Sequence, residues 1–393
     1  MKIALVVQRY GVEICGGSEQ LCRQVGERLR RHCDLEVLTT CATDYMTWRD
    51  VYEPGVSAVN GVPVRRFRVD HPRTVPLFNH LSEAVFSENT CPELEQRWVR
   101  EQGPYSSDFL RFLDAAGWRY DVFIFFTYAY GLTFFGLPRV AQRSLLVPTA
   151  HDEPAFHLPI YRTLFSMPRG LIFNTAEEQS LVLQKFGLST PSAVVGIGIE
   201  EEGEESGEMA VGYRDRLRSP FLLYLGRVDE AKGCRPLLEY FIRFRKEHPE
   251  TSLQLVLAGK VLMEVPSHPD IVVLGFLEEE AKRSVLAASK LLIMPSPYES
   301  LSIVVLEAWS VGVPVLVNGK CAVLRGQIRR SGGGLEFTDY DGFERAVTRL
   351  IQEPSMAREL GERGRQFVRE NYTWPVVERK YLDWAEWVRR EAA

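Results

Sequence analysis

The chain alternates short apolar runs with longer segments of amphipathic helical periodicity, and this alternation restricts its fold more than any other feature. Parallel strands need a long crossover between them, usually a helix, so alternating β and α segments predict parallel sheets. The strand segments are apolar on both faces, as in sheets that helices cover on each side. We therefore predict an α/β fold. In the first half we expect strands at 3–7, 35–39, 121–126, 144–147 and 170–173, and a helix at 18–31.

An acidic segment interrupts this alternation. Residues 200–208 hold six acidic side chains among nine residues, which is typical of a solvated linker. The alternation then restarts, and the restart predicts a second doubly wound domain. Its expected strands are 221–225, 253–258, 271–274, 291–294 and 313–317, and its expected helices are 236–247, 278–288 and 302–311.

A length of 393 residues suits two domains of ordinary size. We predict an N-terminal domain at 1–199, a linker at 200–219, a second domain at 220–370 and a C-terminal helix at 371–393. The apolar stretch 122–138 has 17 residues, too few to span a bilayer, so we expect a buried strand running into a buried helix or loop. The N-terminal apolar run of five residues is too short for a signal peptide, and we expect a cytoplasmic protein without a membrane anchor.

The composition disfavours several classes of protein. A net charge of −5 argues against a protein that coats nucleic acid, because such proteins carry a strong basic excess. The seven cysteines include no CxxC pair, so we expect reduced, packed thiols rather than a zinc site or a disulfide framework.

A glycine pair, Gly16 and Gly17, lies between the first strand and its helix. Glycine lets the backbone approach a ligand closely, and the N-terminus of the following helix favours anions. The spacing does not fit the GxGxxG pattern of dinucleotide-binding folds, and a Walker A loop is absent. Taken alone, the pair fits an anion-binding loop and a simple tight turn equally well.

Two cations follow the strand at 221–225, in the segment Gly226-Arg227-Val228-Asp229 and then Lys232-Gly233. Ligands of open α/β sheets bind at the carboxyl ends of strands. Arginine as a planar fork and lysine as a point charge both suit a diphosphate there. Ordinary surface charges are the alternative.

The strongest signal is a pair of acids, Glu299 and Glu307, with seven residues between them. Ser300 or Ser302 can cap the helix that begins between the two acids, which leaves backbone N–H groups for an anion. Glu307 has apolar neighbours, and a carboxylate in such surroundings needs a reason. The alternative is a structural ion pair at Glu307 and a solvated Glu299.

With these motifs in this order, the chain resembles retaining glycosyltransferases of family four, which have the GT-B fold. The resemblance rests on the glycine pair, on GRxxxxKG at 226–233, LGF at 274–276, E-x7-E at 299–307 and GVP at 312–314, and on a tryptophan-bearing tail. It implies two Rossmann-like domains facing a central cleft, with C-terminal helices packing back on the first domain. It also implies transfer of a hexose from a nucleotide-diphosphate sugar to an acceptor hydroxyl, without a metal and without a cofactor other than this donor.

The resemblance assigns roles to matching residues. Arg227 and Lys232 hold the donor diphosphate, Glu299 contacts the sugar, and Glu307 binds the ribose. The remaining residues are implied to contact the nucleotide or sugar: Gly16 and Gly17 through their backbone, Phe276 and Leu277 at the base, and Ser300, Leu301, Ser302 and Ile303 at the sugar or phosphate.

One position departs from the family pattern. Many relatives place a histidine after the strand that matches 121–125, but here the segment reads Phe125-Phe126-Thr127-Tyr128. The nearest candidate is His151, to which we assign a role in the cleft, with Asp152 and Glu153 orienting it or contacting the acceptor.

Several alternatives stay open. A nucleotide-sugar epimerase of the same fold and a non-catalytic protein that binds nucleotide-sugars both fit these motifs. UDP-glucose, UDP-N-acetylglucosamine and GDP-mannose are all candidate donors, and the acceptor is a glycan, a lipid or a small molecule. Arg65, Arg66, Arg68 and Arg73 suit either a solvated face or peripheral contact with an anionic membrane or a phosphorylated acceptor. We expect no nucleic-acid partner, and the oligomeric state is open.

Overall fold

The computed structural model describes residues 1–14, 16–87, 90–200, 217 and 220–392. The chain divides into two compact units. The first comprises Met1–Ile197 and Pro375–Ala393, and the second comprises Gly198–Trp374. Apart from Glu200 and Leu217, the predicted linker 200–219 lies outside the described residues.

The first unit is built on an eight-stranded sheet of order β3-β4-β2-β1-β5-β6-β7-β8. Neighbouring strands are parallel except in the β3–β4 hairpin, which we did not predict. The strands are β1 Lys2–Val6, β2 Asp34–Thr40, β3 Gly55–Val59, β4 Val62–Phe67, β5 Val122–Phe126, β6 Ser144–Val147, β7 Gly170–Phe173 and β8 Ser192–Val194.

Helices cover this sheet. They are α1 Gly17–Leu29, α2 Val75–Val85, α3 Pro92–Gln102, α4 Ser107–Ala116, α5 Gly131–Gly136, α6 Ile160–Ser166 and α7 Ala176–Phe186. All five residues of β5 are buried, and the apolar stretch 122–138 runs from β5 into α5, as predicted. The chain moves from β1 to β2 on one side and starts β5 on the other, so the switch point of this sheet lies between β1 and β5.

The second unit holds a six-stranded, fully parallel sheet of order β11-β10-β9-β12-β13-β14. Its strands are β9 Phe221–Leu225, β10 Gln254–Ala258, β11 Ile271–Gly275, β12 Leu291–Met294, β13 Val315–Asn318 and β14 Gly334–Phe337. Its helices are α8 Cys234–Glu247, α9 Glu279–Ala288, α10 Ile303–Ser310, α11 Ala322–Ser331, α12 Tyr340–Gln352 and α13 Pro354–Asn371. The strand order reverses between β9 and β12, which places the loops after these two strands side by side.

The last helix, α14 Trp374–Glu391, packs in the first unit from Pro375 onward. One stripe of it is fully buried: Val377, Tyr381, Ala385 and Val388. Glu378 Oε2 lies 2.7 Å from His32 Nε2. The expected packing of the C-terminal helix on the first domain is therefore confirmed.

The described part of the chain contains no helix both long and apolar enough to cross a membrane. Within the same residues, no three His, Cys, Asp or Glu side chains lie together in a group that could hold a metal ion. The cysteines at 22, 33, 41, 91, 234 and 321 are free thiols.

Candidate active site

The loop after β9 is held tightly against the neighbouring strand. The Gly226 N–H donates to the carbonyl of Ala258 at 2.9 Å, and Val228 N–H donates to Lys260 at 2.9 Å. Gly226 has φ +143°, a conformation that glycine adopts without strain. The Asp229 carboxylate accepts from the Lys232 N–H at 2.8 Å and closes the turn. These bonds fix the backbone that carries both predicted cations.

The switch point brings Lys232 and Glu299 together. Lys232 Nζ lies 2.7 Å from Glu299 Oε1, although 67 positions separate them in sequence. The side chains are 29% and 12% exposed, so the pair is partly shielded from water. Two motifs recognised separately in the sequence thus meet at one point on the carboxyl edge of the sheet.

Arg227 is placed differently. Its Nη1 lies 3.6 Å from Asp229 Oδ2 on the same loop, and its side chain is 42% exposed. A loose, exposed pair of this kind contributes little to stability. The guanidinium therefore remains accessible to an anion beside the Lys232 loop.

Glu307 forms a second pair with a lysine. Its Oε1 lies 2.8 Å from Lys282 Nζ on α9, a residue that the sequence analysis did not single out. Its other oxygen, Oε2, is buried and has no hydrogen-bond partner in the described ranges. Lys282 loses hydration through burial, but the carboxylates of Glu307 and Glu279 outweigh this and raise its pKa. Lys282 is the fourth residue of α9, and no sequence motif includes it.

The start of α10 differs from the capping expected for it. Ser302 occupies the N-cap position with extended backbone, but its hydroxyl makes no capping bond. That hydroxyl is buried and has no partner among the residues described. Ser302 therefore occupies the predicted N-cap position, but the capping bond expected from its hydroxyl is not formed. Uncapped N–H groups of a first helical turn favour an anion.

The remaining predicted residues of the second unit lie on loops or at the start of α10, near these two pairs in sequence. Phe276 and Leu277 follow β11; Phe276 is exposed and Leu277 is buried. Ser300 is half-buried in the segment between β12 and α10, and Leu301 beside it is buried. Ile303 is the first residue of α10.

In the first unit, Gly16 is the N-cap of α1 and Gly17 its first residue. Glu19, in the first turn, accepts from the Arg9 guanidinium, with Nη2 2.5 Å from Oε1. Its Oε2 accepts from the Ser18 hydroxyl at 2.9 Å. A Cβ at Gly16 would overlap the Glu19 carboxylate where it now lies, so a larger residue would displace this side chain. The sequence signal that was missed is an acid in the first turn after a glycine pair.

His151 follows β6 in the first unit, and its Nε2 lies 3.3 Å from Glu153 Oε2. Glu153 also accepts from the Tyr128 hydroxyl at 3.0 Å. Asp152 pairs instead with His157, at 2.6 Å. Of the two acids considered for orienting His151, the structure therefore pairs Glu153 with it.

The turn before His151 depends on a buried carboxylate that the sequence analysis missed. Glu178 on α7 accepts from the N–H of Ala150 at 2.7 Å and from that of Asn174 at 2.8 Å. Burial raises the pKa of Glu178 to about 8, although backbone hydrogen bonds counteract this. The Thr175-x-x-Glu178 spacing is a capping-box signal that could have revealed it.

A groove of about 760 Å³ in the first unit contains none of the predicted residues. It lies near the amino ends of β7 and β8 and is bordered by Arg162, Arg169 and Trp387. Parallel α/β sheets bind their ligands at the carboxyl ends of strands, so we place the candidate site at the switch point instead.

Part of the second unit matches a known family model. Residues 212–367, which include both lysine–glutamate pairs, match the family model described as "Glycosyl transferases group 1". Glycogen synthase of Mycobacterium tuberculosis is 26% identical over 176 residues, 42% of this chain and 42% of that protein. The match thus spans about two-fifths of that relative's length.

Two other proteins match this chain over nearly its full length. Their sequence identity is lower, but the structural match identifies the fold. An uncharacterized glycosyltransferase of Methanocaldococcus jannaschii is 21% identical over 417 aligned residues, 98% of this chain and 97% of that one. HepE from Anabaena, solved in complex with UDP-glucose, matches with a TM-score of 0.66 at 13% identity, over 98% of both chains. The fold is GT-B. The GT-B architecture expected from the sequence, with two Rossmann-like parallel-sheet domains, is thereby confirmed.

Proposed function

We propose that this chain is a retaining, metal-independent glycosyltransferase that moves a hexose from a nucleotide-diphosphate sugar to an acceptor hydroxyl. The observation that carries the proposal is the contact between Lys232 and Glu299 at the switch point of the second sheet. It joins a cation suited to a diphosphate to a carboxylate suited to sugar hydroxyls. The match to the glycosyl transferase group 1 family covers both residues.

The leaving diphosphate is the group that needs most stabilisation. When the bond between the anomeric carbon and the phosphate oxygen breaks, negative charge grows on the diphosphate and the sugar gains oxocarbenium character. Lys232, Arg227 and the first turn of α10 supply positive charge and N–H donors for that growing charge. Groups that bind the departing charge more strongly than the ground state lower the barrier.

Glu299 contacts the sugar in this proposal. Lys232 engages its Oε1 and so orients the carboxylate. We favour front-face attack, in which the leaving phosphate oxygen accepts the proton of the incoming hydroxyl and the anomeric configuration is retained. Double displacement would instead form a covalent sugar ester on a protein carboxylate. Trapping such an ester on Glu299 would contradict the front-face route.

The relatives indicate which donors to test first. HepE was solved with UDP-glucose, and another relative bears the name glycogen synthase. We therefore place UDP-glucose before UDP-N-acetylglucosamine and GDP-mannose, with a polysaccharide or glycolipid as the product. His151, held by Glu153, is proposed to contact the donor sugar, with Gly16 and Gly17 donating to its phosphates.

A donor screen followed by product analysis tests the proposal. Each nucleotide-sugar is added to the chain and the melting temperature is measured, because a bound ligand stabilises the folded state by mass action. The donor that binds is then incubated with glycan and lipid acceptors, and the new linkage is identified by NMR. We expect a linkage with the donor's anomeric configuration. An epimerised donor formed without acceptor, or binding with neither hydrolysis nor transfer, would contradict the proposal.

A further inference from the structure

Lys282 lies between two carboxylates on the second unit. Its Nζ is 2.8 Å from Glu307 Oε1 and 2.8 Å from Glu279 Oε2. The two partners differ in surroundings, because the side chain of Glu307 is 19% exposed and that of Glu279 is 75% exposed. The Lys282 side chain itself is 17% exposed. The contact with Glu307 is therefore the shielded one.

Glu307 needs a nearby cation because of the helix that carries it. The other residues of α10 are almost all apolar, and Val305, Leu306, Ala308 and Trp309 are buried. A buried charge without a partner is costly. Removing one partner of a buried ion pair therefore strongly destabilises the folded protein, because the other charge is left uncompensated. Lys282 supplies that partner from the neighbouring helix α9. The raised pKa of Lys282 agrees with a firmly held charge.

The pair treats the two oxygens of Glu307 differently. Oε1 is engaged by Lys282, whereas Oε2 is buried without a hydrogen-bond partner among the described residues. A buried acceptor left without a partner costs free energy, so a site that tolerates one is suited to a ligand that donates to it. A sugar hydroxyl is such a donor.

We propose that Lys282 is a positioning residue for Glu307, fixing its carboxylate so that Oε2 accepts from a ribose hydroxyl and the protein prefers ribonucleotides to deoxyribonucleotides. This inference rests on the proposed function, in which the second unit binds a nucleotide-sugar, and on the ribose-binding role that the family resemblance implies for Glu307. Lys282 acts through Glu307 and does not itself touch the reacting atoms. Without it, the carboxylate loses both its counter-charge and its fixed orientation.

Calorimetric titration with matched nucleotides tests the inference. The ligands are UDP and GDP, each compared with its 2′-deoxy and 3′-deoxy forms. We expect the wild-type chain to bind a ribonucleotide about 10-fold more tightly than at least one deoxy form, as for a hydrogen bond to a charged group. Lys282→Met should bind both forms alike, near the affinity of the wild type for the deoxy form. Lys282→Arg should retain most of the preference.

Glu279→Gln is the matched control, because it removes only the exposed partner of Lys282. It should keep the wild-type preference. In donor hydrolysis, Lys282→Met should raise KM with kcat nearly unchanged, a division that a general loss of structure would not produce. If Lys282→Met does not melt cooperatively, Lys282→Gln is measured in its place.

The outcomes separate this inference from the proposed function. A wild-type preference that persists in Lys282→Met would reduce Lys282 to a structural link between α9 and α10 and overturn the inference. A larger preference in that variant would also overturn it, since Lys282 would then compete with the ribose. Wild-type binding without any ribose preference would overturn the inference, because Glu307 would then not bind the ribose. The proposed function would stand. If neither UDP nor GDP binds, the proposed function itself fails.

Discussion

Gly259 shows how a single residue supports the candidate site. It has φ +137°, and a Cβ there would overlap the carbonyl oxygen of Gly226 at the start of the Lys232 loop. That overlap involves backbone, which cannot move aside as a flexible side chain does. The close approach between β10 and the loop after β9 therefore requires glycine at this position.

We predict that Gly259→Ala lowers the free energy of unfolding by about 1–3 kcal/mol more than Gly275→Ala does, because overlap adds to backbone strain. Gly275, in the same unit, also has positive φ but has open space around its Cβ position. Urea denaturation of both variants measures the difference. Equal losses of unfolding free energy in the two variants would show that the loop after β9 shifts to accommodate the Cβ without an energetic penalty.

Two buried tyrosines differ in whether their hydroxyls are satisfied. The Tyr381 hydroxyl has no hydrogen-bond partner among the described residues, whereas the Tyr224 hydroxyl donates to the Arg227 carbonyl at 2.6 Å. We predict that Tyr381→Phe leaves stability unchanged or raises it, and that Tyr224→Phe lowers it by about 1 kcal/mol. Thermal denaturation of the two variants and the wild type measures these changes in stability. A clear loss in Tyr381→Phe would contradict the prediction.

Residues that belong to a recognised motif are easier to predict from the sequence than residues that only support them. Lys232 and Glu299 could be predicted because glycine, cation and acid spacings mark both loops. Lys282 could not, since it is one charged residue on an amphipathic helix, where most charges face solvent. Glu178 has capping-box spacing from Thr175, but that spacing does not show that its carboxylate also reaches the Ala150 N–H. Their roles depend on which neighbouring helix or turn they reach, and this is a property of the fold.

At the scale of elements, buried strands follow the sequence closely. The strands at 144–147, 170–173, 221–225 and 291–294 lie where they were predicted, because both of their faces are buried and apolar. The β3–β4 hairpin was missed because β3 is an edge strand whose residues are mostly exposed. An edge strand lacks the continuous apolar pattern on which the prediction relied.

The helix α7 couples stability to pH through Glu178. The pKa of the Glu178 carboxyl group is about 8 in the folded state, above the model-compound value of 4.5. Between these values the folded state binds the extra proton, so stability falls as pH rises and levels off above pH 8. We predict that the stability of wild type relative to Glu178→Gln falls by up to about 1.4 kcal/mol per pH unit from pH 5 to 8.

Urea denaturation of wild type and Glu178→Gln at several pH values measures this slope, and the variant, which does not titrate at residue 178, is its own control. A difference in stability that stays constant from pH 5 to 8 would mean that Glu178 remains ionised when folded. The four backbone donors near it, from residues 149, 150, 174 and 175, would then outweigh its burial.

At the scale of the whole molecule, the sequence pattern alone predicts two parallel-sheet units. The restart of the βα alternation after residue 220 corresponds to the six-stranded second sheet. The return of α14 to the first unit is different, because an amphipathic helix carries no information about which surface it covers. That packing was expected from the family resemblance alone, and buried residues such as Tyr381 and Val388 now account for it.

The rate of nucleoside diphosphate release from a nucleotide-sugar, measured for wild type and Lys232→Ala, shows whether Lys232 stabilises the departing diphosphate. We predict that the wild type releases the diphosphate from at least one donor, and that Lys232→Ala, while still folded, is slower by about 10²–10³-fold, as when one donor to a developing charge is removed. Release at the wild-type rate by Lys232→Ala, or no release from any donor by the wild type, would contradict the account.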